Sequence, residues 1–297
     1  MWLQKLNQCV SALAYSSDSK TLYSLDYGGR LRSWDIATRK GRVLEHSGAV
    51  QDPEPYGRSL RVLADGRVLV FAWSLCIVDP ATRDFRYNWV PSDFPRYGRS
   101  LLTPDGQLLA VRKDKRAIIT WNVLNHQAGP VLHEWPPGQG LTEFDLSEDG
   151  QTLAVLERRR HVSIIDLPSG EVRCRFWPRV EKNSGWPLRL SQDAHTLVVN
   201  SLTRVEVWDV SSDAQRVCQI VDALPNQVLA IHPTAPLCVS VNRKRALTLF
   251  DLQTGEPIRS LDFRLGQAVM CVCFSPDGLT CAAGGSNGRF AVFDVDV

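Results

Sequence analysis

The sequence predicts an all-β protein assembled from seven similar repeats, and three features of the chain indicate this. An apolar residue followed by Asp or Asn recurs at intervals of 42 to 44 residues along the whole chain. A polar turn, flanked by short apolar segments, precedes most of these doublets by about 16 to 18 residues. We find no convincing helical period of about ten residues or more. A fixed period of this length is typical of a repeat architecture.

The doublets and turns divide the chain into repeats with a common plan. In chain order, the doublets are Trp34-Asp35, Val78-Asp79, Trp121-Asn122, Ile165-Asp166, Trp208-Asp209, Phe250-Asp251 and Phe293-Asp294. The turns are Ser17-Asp18-Ser19, Ala64-Asp65-Gly66, Pro104-Asp105-Gly106, Glu148-Asp149-Gly150, Gln192-Asp193-Ala194, Pro233-Thr234-Ala235 and Pro276-Asp277-Gly278. The last repeat shows the plan most clearly, with strands predicted at 269–274, 279–283 and 290–294, a turn at 275–278 and a bend at 285–288.

Aspartates recur with the same period, which favours a structural role for them. They stand at Asp79, Asp166, Asp209, Asp251 and Asp294. Because each belongs to a different repeat, we expect each carboxylate to cap a turn in its own repeat. A general acid and base would instead have to meet at one site.

The composition is that of an ordinary globular chain. Hydrophobic residues make up 44% and charged residues 22% of the sequence, which excludes an intrinsically disordered protein. The 34 Lys and Arg against 32 Asp and Glu give a formal charge of +2, too small for a global field that attracts nucleic acid or membrane. Any electrostatic function is therefore expected to be local. The chain also lacks the apolar runs of a signal peptide or membrane span, so we expect neither export nor insertion.

The cysteines are predicted to be reduced and structural. Most lie in apolar alternating segments, and none forms a Cys-x-x-Cys pair. They are Cys9, Cys76, Cys174, Cys218, Cys238, Cys271, Cys273 and Cys281. Buried free thiols of this kind are typical of a cytoplasmic protein, which is the location we expect.

The repeats resemble those of the WD40 family. The resemblance is strongest in FSPDG at 274–278, LRSWD at 31–35 and VEVWD at 205–209, and it covers residues 2–297. It implies a seven-bladed β-propeller of four-stranded antiparallel blades. It also implies a platform for protein assemblies, since most members of the family have that role.

Stacking of the sheets follows from the predicted strands, because a single four-stranded sheet cannot bury both of its apolar faces. The last repeat contains three strands, and the segment 2–6 has strand character, so we expect the N-terminal strand to complete the last blade and remove an exposed edge. We expect one domain over residues 1–297 with no separate domain or tail. Its repeats span about 10–45, 56–89, 98–135, 140–177, 185–221, 226–263 and 267–297 plus 2–6.

Basic loops mark one predicted face of the molecule. If each repeat runs from inner to outer strand, the turns between its second and third strands share one side, the top face, with the loops between repeats. Four successive repeats carry basic residues in these turns, and a basic arc is expected. The candidate partner-binding residues are Lys113, Lys115, Arg116, Arg158, Arg159, Arg160, Arg204, Arg243, Lys244 and Arg245. The alternative is that these turns are simply solvated surface.

Aromatic and proline residues are frequent in the loops between repeats on the same face. Phe94, Tyr97 and Trp186 are the candidate contacts, because no other repeat has an aromatic residue at the same place. Trp89, Trp135 and Trp177 stand at similar positions in three repeats, and we expect them to pack between blades. The same packing role is expected for the Trp residues of the doublets, Trp34, Trp121 and Trp208.

No catalytic, metal or cofactor site is predicted. The six histidines fall in different repeats without a His-x-His or Glu-x-x-His motif, and the chain has no Gly-x-Ser-x-Gly motif. The glycine pairs lack the strand-to-helix context that binds phosphate. An enzyme with a site at the channel mouth remains the least favoured alternative, since a fold does not determine function.

The sequence therefore predicts a non-catalytic interaction scaffold. Its partner is expected to be a protein or peptide, acidic or phosphorylated, because Arg forms bidentate charge-assisted bonds with carboxylate and phosphate. We expect a monomeric module within a larger complex. The alternative is single-stranded nucleic acid bound by the same basic and aromatic loops.

Overall fold

The structure is a computed structural model, and every regular element among its described residues is a β-strand. The described residues are 1–46, 59–71, 75–88, 101–102, 107–111, 117–122, 127–136, 140–157, 160–179, 188–201, 203–224 and 228–296. These residues form 28 strands arranged as seven four-stranded antiparallel sheets. Among them, no helix has the length and apolar character to cross a membrane. The all-β class and the four-stranded antiparallel sheets are therefore confirmed.

The sheets fall into two compact groups. The terminal group comprises residues 1–91 and 262–297, and the central group comprises residues 92–261. The prediction that all repeats form one domain stays a prediction.

The terminal group contains sheets 1, 2 and 7. Sheet 1 consists of β2 (Val10–Tyr15), β3 (Thr21–Asp26), β4 (Arg30–Asp35) and β5 (Gly41–His46). Sheet 2 consists of β6 (Ser59–Val62), β7 (Val68–Phe71), β8 (Leu75–Val78) and β9 (Phe85–Asn88). Sheet 7 consists of β26 (Val269–Phe274), β27 (Thr280–Gly285), β28 (Arg289–Asp294) and β1 (Trp2–Lys5).

The central group contains sheets 3 to 6. Sheet 3 consists of β10 (Leu101–Leu102), β11 (Gln107–Val111), β12 (Ala117–Asn122) and β13 (Gln127–Glu134), and sheet 4 of β14 (Leu141–Leu146), β15 (Thr152–Glu157), β16 (Val162–Asp166) and β17 (Val172–Phe176). Sheet 5 consists of β18 (Leu188–Leu190), β19 (Thr196–Asn200), β20 (Val205–Asp209) and β21 (Gln215–Gln219), and sheet 6 of β22 (Leu229–Ile231), β23 (Leu237–Val241), β24 (Leu247–Asp251) and β25 (Pro257–Leu261).

The core lies between consecutive sheets, because the middle strands are apolar on both faces. Every residue of β15 and of β23 is buried, whereas the outer strand β25 is mostly exposed. One apolar cluster joins sheets 4 and 5, and another joins sheets 5 and 6. In the terminal group, a third cluster joins sheets 1 and 2. Removal of this apolar surface from water favours the stacked arrangement within each group.

The N-terminal strand completes sheet 7, as predicted. β1 pairs with β28, with Trp2 opposite Val292. The Trp2 ring makes an edge contact with Phe290 at 5.2 Å between ring centroids and lies 6.0 Å from the ring of Trp34. The Met1 ammonium group also lies 3.1 Å from the Asp294 carboxylate. The first strand thus fills the outer edge of the last sheet and covers its apolar face.

Aspartates at the ends of third strands cap the turns that follow, which confirms the prediction for four of them. In sheet 6, Asp251 Oδ1 accepts hydrogen bonds from the backbone N–H groups of Thr254 and Gln253, at 2.8 and 2.7 Å. Asp79, Asp166 and Asp209 accept equivalent bonds in their own turns. Hydrogen bonds hold the pKa of each carboxyl below its ordinary value, since they favour the charged form; the Ser169 hydroxyl contributes most at Asp166, and backbone N–H groups contribute most at the other three.

Asp294 departs from this pattern, and its predicted turn cap was wrong. Its carboxylate accepts a hydrogen bond from the Met1 amine instead. The reason is topological, because β28 pairs with β1 at the position where every other third strand is followed by its own fourth strand.

All eight cysteines are free thiols. Burial raises the pKa of Cys273 to about 12 and that of Cys218 to about 11. Because the thiolate is the reactive form, such thiols behave as small apolar groups.

Deletion of residues 1–8 should lower the melting temperature by about 5 °C or more, because it exposes the edge of β28 and removes the Trp2 ring from an apolar cluster. Thermal unfolding followed by circular dichroism measures the change. As a control on the same strand, Leu3→Ala should change it little, since the Leu3 side chain is 48% exposed. An unchanged melting temperature in the deletion variant would contradict the closure of sheet 7 by β1.

The turn-capping aspartates predict a loss of stability in acid. Because the folded-state pKa of Asp251 is lowered, its contribution is present above the unfolded-state pKa of about 3.9 and is lost as pH falls through the folded value. Asp251→Asn should be less stable than the unmodified protein at pH 7, and the difference should shrink below about pH 4. Urea unfolding at pH 7, 5 and 3.5 measures it.

Glu256→Gln is the control, since it removes a carboxylate from the same turn, in which Glu256 takes part through its backbone groups. A difference between Asp251→Asn and the unmodified protein that stays constant down to pH 3.5 would show that the carboxylate does not cap the turn.

Candidate functional site

The structure describes five of the predicted partner-binding residues. Arg160 lies in the turn between β15 and β16, Arg204 between β19 and β20, and Arg243, Lys244 and Arg245 between β23 and β24. The others lie outside the described residues; they are Phe94, Tyr97, Lys113, Lys115, Arg116, Arg158, Arg159 and Trp186.

The five described residues occupy the same kind of turn in three consecutive sheets of the central group. Each turn joins the second strand of a sheet to the third. Arg204 is partly buried, and the other four residues are exposed. We call this set, Arg160, Arg204, Arg243, Lys244 and Arg245, the basic turn surface.

Two of these arginines adopt a backbone conformation that favours glycine. Arg160 has φ of 65° and Arg245 has φ of 64°, whereas the corresponding turn of sheet 1 has Gly29 at 77°. The Arg245 N–H donates to the Asn242 carbonyl, and Asn242 Oδ1 accepts from the Lys244 and Ala246 N–H groups. These bonds hold the turn in a conformation that costs a non-glycine residue about 1 kcal/mol.

Loops between sheets lie directly against the basic turns within the central group. The Arg243 guanidinium donates through Nε to the Val221 carbonyl at 3.0 Å, and the Arg243 N–H donates to the Asp222 carbonyl at 2.9 Å. Between sheets 4 and 5, the Arg179 N–H donates to Oε2 of the buried Glu206 at 3.3 Å. The antiparallel strand order accounts for this, because it puts second-to-third turns and intersheet loops at the same ends of the strands.

Trp177 corrects the expectation that the tryptophans after the outer strands pack between sheets. Trp135 is 3% exposed and belongs to the apolar cluster of sheets 3 and 4, as expected. Trp177 is 68% exposed. Trp89 lies outside the described residues.

The difference between Trp135 and Trp177 arises from strand register. Pairing between β12 and β13 shifts twice, whereas pairing between β16 and β17 shifts once. Ile118 and Val162 each precede the doublet of their strand by three residues, and they pair with His133 and Phe176. Trp135 lies two residues beyond His133, whereas Trp177 lies one residue beyond Phe176. Because side chains alternate along a strand, a shift of one residue turns the ring from the core to solvent.

Unlike Trp177, the Trp residues of the doublets are buried or partly buried. Trp34 is buried in the cluster of sheets 7 and 1, and Trp208 packs on Phe176 with ring centroids 4.4 Å apart, which confirms their packing role. Trp121 is partly buried.

A buried carboxylate supports the exposed Trp177 ring through a histidine. The rings of Trp177 and His161 lie 5.7 Å apart. His161 Nε2 lies 3.1 Å from Oε1 of Glu157, which is 5% exposed and also accepts a hydrogen bond of 2.6 Å from Ser163 Oγ. The buried Glu157 thus holds His161, whose ring contacts the Trp177 ring, and Arg160 directly precedes His161 in the chain.

The opposite ends of these sheets carry the opposite charge. In sheets 4, 5 and 6, the described turns at the other strand ends contain no Lys or Arg. Their acidic residues are Glu148, Asp149, Asp166, Glu171, Asp193, Asp209, Asp213, Asp251 and Glu256. A near-neutral chain therefore has a strong local separation of charge in its central group.

Two of the described histidines, which are the side chains most often used in catalysis or metal binding, make local contacts within their own sheets. His232 Nδ1 accepts from the Thr234 and Ala235 N–H groups, and the His133 ring contacts that of Trp135. Within the described part of the chain, no group of three His, Cys, Asp or Glu residues is placed to hold a metal ion.

Comparison with known proteins identifies the fold. Residues 255–294, which contain β25 to β28, match the WD40 family, described as WD domain, G-beta repeat. The chain is also similar to the crystal structure of the beta-propeller domain of Cps50 (Swd1) from Myceliophteria thermophila, with a TM-score of 0.74 and 15% sequence identity over 99% of each chain. The resemblance to WD40 repeats is confirmed, and the chain has the fold of a β-propeller.

Substitution of the two tryptophans should separate their roles. Trp135→Ala should lower the free energy of unfolding by about 3 to 5 kcal/mol, because it opens a cavity in the core. Trp177→Ala should change it by less than about 1 kcal/mol, since most of the ring already faces water. Chemical denaturation of both variants measures the difference, and equal losses of stability would contradict the assignment of Trp177 to the surface.

Proposed function

We propose that this protein is a non-catalytic scaffold that binds a protein or peptide partner through the basic turn surface and the loops beside it. The observation that carries the proposal is the concentration of exposed cationic groups at one end of sheets 4 to 6, next to an exposed tryptophan. WD40 propellers typically act as platforms in complexes, which supports the same role here.

An acidic or phosphorylated partner fits this surface best. A guanidinium group presents its N–H donors in a fixed planar geometry that matches carboxylate and phosphate oxygens. The acidic turns at the opposite strand ends would repel such a partner, so the charge separation favours one orientation of approach. The predicted residues outside the described part of the chain, such as Lys113, Arg158 and Trp186, would extend the same surface.

Single-stranded nucleic acid is a second candidate, and the exposed Trp177 ring is the observation that favours it. An aromatic ring beside arginine can stack on a base while the cations contact phosphate. Its binding would weaken steeply with salt in proportion to the number of phosphates neutralised.

The domain organisation, oligomeric state and location expected from the sequence are compatible with this role. We propose a single seven-bladed domain that acts as a monomeric module of a larger complex. We also propose a cytoplasmic location, which the free and partly buried thiols support, since a reducing compartment preserves them.

Two arginines with the same backbone strain provide a matched test of the surface. Arg245 and Arg83 are both exposed and have φ of 64°, but Arg83 lies in a turn between third and fourth strands. Arg245→Gly and Arg83→Gly each remove one positive charge and relieve the same strain, so each should keep its melting temperature or raise it slightly. Arg245→Gly should weaken partner binding about tenfold, and Arg83→Gly should leave it unchanged.

Quantitative pull-down of partners recovered from the native source measures this difference. The triple change of Arg158, Arg159 and Arg160 to Glu should abolish the interaction without lowering the melting temperature. Retained binding in both the triple variant and Arg245→Gly would count against the proposed surface.

A further inference from the structure

Two large apolar side chains stand exposed at the same place in neighbouring sheets. Trp177 is 68% exposed and Val221 is 63% exposed. Trp177 follows the buried Phe176, which pairs with the first residue of β16. Val221 follows the buried Ile220, whose N–H donates to the carbonyl of the first residue of β20. Sheets 4 and 5 share one apolar cluster, so the two side chains lie on adjacent sheets of one group.

Neither side chain takes part in the core. The cluster of sheets 4 and 5 contains Phe176 but not Trp177, and the cluster of sheets 5 and 6 contains Ile220 but not Val221. Their remaining apolar surface is therefore available for contact with another molecule. Exposed aromatic residues held on rigid elements are enriched among the residues that dominate binding energy.

Each exposed apolar side chain has a cationic neighbour that the backbone holds in place. Arg160 directly precedes His161, on which the Trp177 ring packs. Arg243 donates to the carbonyl of Val221 itself. That bond uses one N–H of the Arg243 guanidinium, and four N–H donors remain for another acceptor.

We infer that Trp177 and Val221 anchor an extended acidic peptide whose apolar side chains pack on them while its carboxylates contact Arg160 and Arg243. The inference rests on the proposed function and adds to it the anchoring residues and the chemistry of the partner segment. Successive side chains of an extended peptide alternate in direction, so apolar and acidic residues in alternation match a surface of apolar and cationic groups.

A peptide fits these two positions better than a nucleic acid does. The aliphatic Val221 has no aromatic face on which a base can stack, whereas single-strand binding relies on rings for successive bases. An aliphatic side chain of a peptide gains from contact with both Trp177 and Val221.

Two synthetic peptides of equal length and charge test the inference. One alternates Leu with Asp and Glu, and its twin has Ser in place of Leu. Fluorescence anisotropy of the labelled peptides should show that the full-length protein binds the Leu peptide at least about tenfold more tightly, since each Leu side chain leaves water on binding. Trp177→Ala and Val221→Ser should each remove most of that advantage while binding of the Ser twin stays the same.

Val217→Ser is the matched control. Val217 is a 46% exposed valine on β21 of the same sheet as Val221, away from the proposed anchors, so its substitution should change neither affinity. Circular dichroism melts of all variants establish that they remain folded.

The possible failures are distinguishable. Equal affinity for both peptides, or an advantage that survives Trp177→Ala, would overturn the inference and leave the proposed acidic partner intact. Failure of both peptides to bind would overturn the inference, and the pull-down with Arg245→Gly would still decide the proposed function. Tighter binding of a single-stranded oligonucleotide than of both peptides, lost in Trp177→Ala, would overturn both.

Discussion

The burial of both faces of the middle strands is the constraint on which the rest of the structure depends. β15 and β23 are buried along their whole length, and such strands cannot belong to a sheet with one wet face. The apolar clusters accordingly join consecutive sheets rather than filling single sheets. Because the strands within each sheet are antiparallel neighbours, stacking also gathers turns of one kind at one end of the sheets. The residues in those turns then determine what this end of the sheets can bind.

Most of the fold could be predicted from the sequence because its signals are local and repeated. The doublet Phe250-Asp251 marks the end of a strand and contains the aspartate that caps the next turn. Turn-capping aspartates recur at the same place in other sheets. The pairing of β1 with β28 was also predictable, because a last repeat with three strands leaves an edge that a strand elsewhere must cover. Asp294 shows the limit of the periodic argument, since its surroundings depend on this long-range pairing.

The candidate site was less predictable, because it depends on register as well as on spacing. The basic residues of the 243–245 turn could be assigned from the repeat alone. The exposure of Trp177 could not, because the number of bulges in an outer strand decides which way its last side chain faces, and bulges leave little trace in composition. Trp177 lies nearer to its doublet than Trp135 does, and that spacing is the one signal in the sequence that could have identified it.

Cationic and exposed apolar side chains thus lie together at one end of sheets 4 to 6. Hydrogen exchange can test directly whether the partner binds at this end. The chain would be compared free and in complex with the partner purified from its native source. We expect slowed exchange at 160–161, 177–179 and 242–246, with the acidic turns at 166–171 and 251–256 unchanged. Slowed exchange confined to those acidic turns or to the outer strands would contradict this expectation.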